Sequence, residues 1–358
     1  MSTQLIDYQE LKQDDLSKVR KIISPKAYKH SMFLTFGVFF IDLAFYLIIM
    51  FGIFTVKSIL VKIILGLLAG IVVSGMFVWA HDAAHGSLFK NKLLSEILGT
   101  IFMLPSLNIY RLWSYGHNRV HHGFTSYSNL DWIWRPLTIQ EYRNMSKFKK
   151  KCYRVERSLY GCGLHYIYKV WWPKMIMFMP SDINSSKKNI IRISKAITLL
   201  FVLTIGIIYY HSGGVISIIS ALILPFIVFN YVISLIVYLH HTHPNLPFFA
   251  DRNEWNISIG ALYCTTVINT NWLINKLTHN ILIHTPHHVD IRIPFYRLKY
   301  AFLDIKKYYS KYLHEYDLDF TTLKYIFKVC KLYDYKNHVW YSFSAAESLK
   351  LDLCDKKY

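Results

Sequence analysis

Residues 32–56 form an apolar run with one charged side chain, Asp42, and residues 60–80 form a second with only Lys62 near its start. Runs this long and this free of charge fit a bilayer, whose hydrocarbon core takes roughly 20 helical residues to cross. In lipid each backbone polar group needs a partner within its own segment, so such runs are expected to be helices. A third span is read at 195–211, where the apolar part is short and Lys195 and His211 place their polar ends in the interface. The fourth, at 215–239, is uncharged and contains Pro225, an expected kink. The linkers between pairs carry almost no basic residues. The N-terminal arm, by contrast, has Lys12, Lys18, Arg20, Lys21, Lys26 and Lys29. By the positive-inside rule both linkers face outward and both termini face the cytoplasm.

The expectation is therefore an all-α integral membrane protein, four transmembrane helices arranged as two hairpins. Residues 1–31 are a cytoplasmic arm, 32–291 the membrane domain, and 292–358 a cytoplasmic helical cap. Two further apolar stretches, 97–109 and 257–277, contain Pro105 or several Asn and Thr and are read as interfacial helices. A bacterial inner membrane suits the whole. The net charge of +19 raises the question of nucleic acid. The basic residues instead flank apolar segments, as at Lys147, Lys149, Lys150 and Lys151, a distribution suited to anionic lipid and not to nucleic acid. Five cysteines without CxxC spacing argue against a disulfide framework or a thiolate zinc site.

Histidine is concentrated in clusters: HDAAH (His81, His85), HNRVHH (His117, His121, His122), YLHHTHP (His240, His241, His243) and HTPHH (His284, His287, His288). With the spans placed as above, all four clusters emerge on one side of the membrane. Residues at i and i+3 or i+4 share a helix face. The spacing pairs His81 with His85, His117 with His121, and His284 with His287 or His288, each pair able to direct two imidazoles at one metal. The second histidine of each HH points elsewhere and suits a neighbouring ion, so the clusters fit two metals better than one. Imidazole serves Fe, Zn, Cu and Ni alike. The isolated His30, His165, His211, His314 and His338 read as surface or interface residues.

HDAAH, HNRVHH and HTPHH resemble the three histidine boxes of the membrane fatty-acid desaturases. GHNRVHHGFTSYSNLD, YLHHTHPNLPFF and LTHNILIHTPHHVDIRIPFYRL are similar to acyl-lipid desaturases of the Δ12/ω6 type, bacterial ones in particular, a likeness covering roughly residues 30–300. The resemblance implies a four-helix membrane fold and two iron ions held by His81, His85, His117, His121, His122, His284, His287 and His288. It implies a ninth ligand after the last membrane helix, where His241 fits best. His279 is the competitor, because Asn275 and His279 form an NxxxH pattern used by stearoyl-type relatives. The second box has one residue more than the HxxHH that is usual in the family. Asp82, Asn118, Asp131, Asn280 and Asp290 adjoin or lie near ligands and are candidates to orient them.

An unactivated CH₂ has no acidic proton and no leaving group, so its oxidation belongs to a metal and O₂. The expected activity is introduction of a cis double bond into an acyl chain, lipid-linked by the Δ12 likeness, with O₂ as co-substrate. No GxGxxG or HPGG occurs, so the electrons are expected from an external ferredoxin or cytochrome b5-like donor. Trp113, Tyr115, Trp132, Trp134 and Trp272 flank the boxes as candidate tunnel walls. An acyl or alkane hydroxylase or a carotenoid ketolase or hydroxylase would use the same architecture; a membrane metal-binding or transport protein is the alternative of another class. Asp42 is a buried charge that nothing in the sequence ties to the histidines.

Overall fold

The computed structural model describes residues 8–348, mostly as helices. Helix α1 (Met32–Thr55) starts at Ser31, whose hydroxyl accepts from Leu34 N. Helix α2 (Ile59–His85) follows directly and ends on Gly86, whose φ of 73° is the left-handed conformation that closes a helix. Helix α3 (Lys92–Met103) leads through a tight turn at Leu104–Ser106 into α4 (Tyr110–Tyr115). The two arms meet at 103°. Residues 97–109 are thus not one interfacial helix: Pro105 sits in the tight turn and Leu107 is left-handed (φ 57°), which ends one arm before the next begins.

After α5 (Lys147–Glu156) and α6 (Cys162–His165, prolonged by a wide-turn segment Tyr166–Met177) comes α7 (Ser185–Ile218). Inside α7, Gly213 and Gly214 leave helical geometry, and Gly214 (φ 65°, ψ −152°) takes a conformation open only to glycine. The break falls in the linker that the hydropathy placed there. The helix before it begins at Ser185, ten residues earlier than the sequence boundary, because a polar first segment prolongs the short apolar one. A wide turn at Ile219–Ile223 then precedes Pro225 in α8 (Leu224–His241). By length and composition α1, α2 and the continuous stretch Ser185–His241 are apolar enough to cross a membrane. Their outward side chains, Phe40, Ile48, Phe51, Leu200 and Leu203 among them, are exposed large apolar groups.

The expected interfacial helix at 257–277 is also absent. Helix α9 (Ile257–Leu262) and helix α10 (Trp272–Leu277) flank a strand, β1 (Thr266–Asn269). The β-branched run Thr265–Thr266–Val267–Ile268 favours extended backbone. Helix α11 (His284–Val289) follows, then α12 (Leu298–Tyr309). Strand β2 (His314–Asp317) pairs parallel with β1, Thr266 opposite His314 through Asn269 opposite Asp317. Helix α13 (Phe320–Val329) precedes an antiparallel hairpin of β3 (Leu332–Asp334) and β4 (Val339–Tyr341). The region after the membrane helices therefore includes two small sheets and is not purely helical.

Helix α2 is central, packed between α1 and α8. Gly66 faces Ser220 and Leu224, and Gly70 faces Val228 and Pro225, so close that a β-carbon at either position would collide. Small residues at such crossings let backbones approach in a medium that supplies no hydrophobic drive of its own. Gly70→Val is expected to cost about 1–3 kcal/mol by overpacking, read as a lower unfolding temperature in detergent.

Candidate metal centre

Four helix ends bring the histidines together. Helix α2 carries His81 and His85 on its last turns, where the left-handed Gly86 and a Ser87 N–H donated to Asp82 O fasten the terminus. The end of α8 is fastened through its carbonyls. Leu239 O accepts from Thr266 Oγ1 on β1 (3.0 Å) and from Tyr316 on β2 (3.1 Å), so the small sheet positions His240 and His241. Helix α4 continues through a wide i→i+5 turn, Gly116–His121, into His122–Phe124. Helix α11 carries the last box.

The nine box and ninth-ligand candidates divide into two groups. His81, His85, His117, His122 and His287 form one, and His121, His241, His284 and His288 the other; within each group the ligand atoms lie within 4.8 Å of one another. Each adjacent pair is split between the groups, His121 from His122 and His287 from His288. The expected pairing of His117 with His121 does not form. In the wide turn His117 meets His122 instead, Nε2 to Nε2 at 3.0 Å. An i→i+5 turn brings residues five apart onto one face, which is what the additional residue of HNRVHH requires. Likewise His284 pairs with His288 (2.9 Å) and not with His287.

The tautomers show what these contacts demand. His121 Nδ1 lies 3.2 Å from the Asp131 carboxylate and His241 Nδ1 lies 3.3 Å from Cys264 O. Both oxygens only accept, so each Nδ1 bears a proton and Nε2 is the atom each ring turns toward its group. These two Nε2 atoms are 3.1 Å apart. In the other group His81 Nδ1 faces Asp82 at 2.8 Å, while its Nε2 lies 3.1 Å from that of His117. Burial foremost, then neighbouring imidazoles, holds His284 and His288 well below the usual range, and His287 likewise. Lone pair against lone pair is repulsive, and a cation between them makes the contact favourable. Among the described residues neither ring nitrogen of the buried His287 has a hydrogen-bond partner, as befits a donor nitrogen turned toward a metal. The donor set thus fits two metal ions.

Of the candidates to orient these rings, Asp82 and Asp131 do so. Asn118 donates to Ala84 O and Ser114, Asp290 is taken by Tyr28 and Arg292, and Asn280 makes no hydrogen bond to a box imidazole among the described residues. Adjacency in sequence does not set side-chain direction. Two orienting groups had no sequence signal: Thr125, whose hydroxyl is 3.0 Å from His288 Nδ1, and the Cys264 carbonyl. His279 stands outside both groups, and its Nε2–H donates to Asp42 at 2.7 Å, beside Gly75 of α2. Asp42 is thereby tied to the segment that leads into the last box. His240 is buried and stacked on His284, ring centroids 3.6 Å apart, with neither nitrogen partnered among the described residues. His165 and His314 are buried rather than superficial, His165 against Trp134 and Glu156.

A family model described as fatty acid desaturase matches residues 57–320. The chain belongs to the fatty acid desaturase family. It is 30% identical over 273 residues to a chloroplastic omega-6 fatty acid desaturase of Brassica napus, covering 74% of this chain and 58% of the relative. To an sn-1 oleoyl-lipid 12-desaturase of Picosynechococcus it is 28% identical over 287 residues, covering 77% of this chain and 78% of the relative. An Anabaena variabilis protein of the same description is 25% identical over 271 residues, 74% of each chain. The chain spans about three fifths of the length of the chloroplast relatives.

Two cavities approach the centre of this desaturase-family protein. The outer one, about 130 Å³, opens beside Lys174, Met175 and Phe178 and includes Tyr115 and Trp132. The inner one, about 50 Å³, runs past Phe77, Ile233 and Ile236 to His240, His241 and His284. They share Trp113, His117, His121, Ile133 and Tyr166 as walls. Trp113, Tyr115 and Trp132 thus line the approach, whereas Trp134 is buried against His165 and Trp272 is exposed on α10. His241→Ala is expected to remove one of two bound metal equivalents and His279→Ala neither, by elemental analysis of purified protein. The latter instead orphans Asp42, at a cost of about 1–3 kcal/mol in unfolding. Asp131→Ala should weaken metal retention about 10–100-fold against a chelator.

Proposed function

We propose that the protein is an O₂-dependent acyl-lipid desaturase that places a cis double bond in a fatty acyl chain. The observation carrying this is the junction of an apolar passage with two groups of facing imidazole lone pairs. Family membership supports it, and two relatives are described as acting on oleoyl lipid. The ions are two irons: five imidazoles in one group exceed the four ligands of a closed structural zinc site. The ligands are His81, His85, His117, His122 and His287 for one and His121, His241, His284 and His288 for the other. Asp82, Asp131, Thr125 and the Cys264 carbonyl hold their tautomers.

When bound, the irons supply activation of O₂ and removal of two vicinal hydrogens, chemistry no side chain performs. The protein does the rest. Trp113, Ile133 and Tyr166 form dry walls that hold a methylene chain extended beside His117 and His121. Their apolar faces exclude water, so an oxidising site spends its turnover on the chain. Phe77, Ile233 and Ile236 line the depth of the passage and set how far the acyl end reaches. Reduction comes from an external single-electron donor such as a ferredoxin or a cytochrome b5-like protein.

In this reading α1, α2 and the two halves of Ser185–His241 are four crossings in two hairpins. The centre, residues 1–31 and residues 292–358 face the cytoplasm of a bacterial inner membrane. The positive-inside distribution supports that orientation.

The test is a gas-chromatographic and mass-spectrometric profile of total fatty acids from a host expressing the chain, with a compatible electron donor. A new unsaturated ester, absent with His284→Ala, is the expected result. A hydroxy ester would retain the centre and overturn the reaction, and unchanged fatty acids would overturn the acyl substrate. Ile133→Trp, which fills the shared wall of both cavities, should cut product by at least about tenfold while bound iron stays unchanged, a loss of positioning rather than of metal.

A further inference from the structure

Helix α4 separates two approaches to the centre. Leu112, Trp113, Gly116 and Val120 face the apolar passage. Arg111, Ser114, Asn118 and Arg119 face a different cleft, which reaches His85 and Gly86 at the end of α2. The rim of this second cleft is cationic. Lys92 opens α3, Arg111 lies on α4 and Arg119 in the wide turn that continues it, and Lys187 stands in the first turn of α7. Its one lining carboxylate, Glu96, is occupied by Arg111, and nearby Asp182 lies 3.8 Å from Arg119. Lys92 and Lys187 have no acidic partner among the described residues.

The two histidine groups differ in access in the same sense. His121, His241, His284 and His288 are all buried, while His85, His117 and His122 are only partly so. Of these three, His85 lines the cationic cleft, so there a group outside the protein reaches a box imidazole without entering the apolar passage. We infer that the cationic cleft over His85 is the docking surface for an acidic single-electron carrier protein. This rests on the desaturase reading, which needs two electrons from outside. Electron transfer weakens steeply with distance, so the carrier is best seated where a ligand imidazole meets the surface. Opposite charge steers its approach and sets its orientation. Each docking oxidises the carrier's redox centre by one electron and reduces the histidine-held metal by one, so two carriers are consumed per double bond.

A second basic cleft, formed by Arg143, Lys147, Lys150, Lys151 and Arg154, has comparable charge. No box histidine lines it, and it serves as the control surface.

The test uses the full chain in detergent and an oxidised [2Fe–2S] ferredoxin as the probe, with binding followed by titration calorimetry. Lys92→Glu with Lys187→Glu is expected to weaken binding by about tenfold or more, and Lys150→Glu with Lys151→Glu to leave it within about twofold. Wild-type binding should also weaken as salt is raised. Product formation driven by dithionite, which needs no docking, should be equal in all three proteins. Should the double reversal misfold, Lys92→Gln with Lys187→Gln carries the same test. Unchanged ferredoxin binding in the cleft variants, or loss of it only in the control pair, overturns the assignment. So does loss of binding to anionic-lipid nanodiscs with ferredoxin binding intact, which would give the cleft to a lipid headgroup. A wild type that desaturates with dithionite yet binds no ferredoxin overturns the docking site alone; one that makes no double bond with any reductant overturns the reaction itself.

Discussion

The constraint on which the structure turns is the meeting of imidazole lone pairs in a dry interior. His121 and His241 each spend their proton on an oxygen that only accepts, and their remaining nitrogens then face one another at 3.1 Å. Holding ring nitrogens this close in an apolar interior demands a rigid frame. The arrangement persists because four helix ends are clamped independently: α2 by Gly86 and Ser87, α8 by Thr266 and Tyr316, α4 by its wide turn, and α11 by its place after the Asp42–His279 bond. Each clamp acts on backbone or on a ring's far nitrogen, leaving the metal-facing atoms free.

The geometry also divides labour across α4. One face of that helix is apolar and borders the passage, and the other is polar and borders His85. A single helix and its continuation thereby separate an apolar approach from a polar one. The wide turn matters here because it brings His117 and His122 to one group while His121 on the same turn serves the other.

Much of this was legible in the residues. The apolar runs, the linker before residue 215 and the box histidines could be read because each rests on a local rule, bilayer length or helical spacing. The choice of His241 over His279 followed from position at a helix end, and the structure groups His241 with the boxes. What was hidden depended on tertiary context. The strand at Thr266–Asn269 forms because β2, nearly fifty residues later, pairs with it, so the apolar stretch 257–277 alone suggested a helix. The His117–His122 pairing needed a wide turn that ordinary helical spacing does not anticipate. Asn118 and Asp290 neighbour ligands in sequence but turn to other partners, while Thr125 and the Cys264 carbonyl reach His288 and His241 across the fold.

Both histidine groups draw members from α11, His287 for one and His284 with His288 for the other. Neither is complete while the chain is shorter than that helix. During synthesis the membrane helices emerge and can assemble long before, with seams such as Gly66 and Gly70 against α8 already formed. The nascent protein thus passes through a stage with its helices packed and its rings unmatched, holding only fragments of each ligand set. A metal held by these rings would therefore be acquired only after α11 is made, among the last acts of maturation.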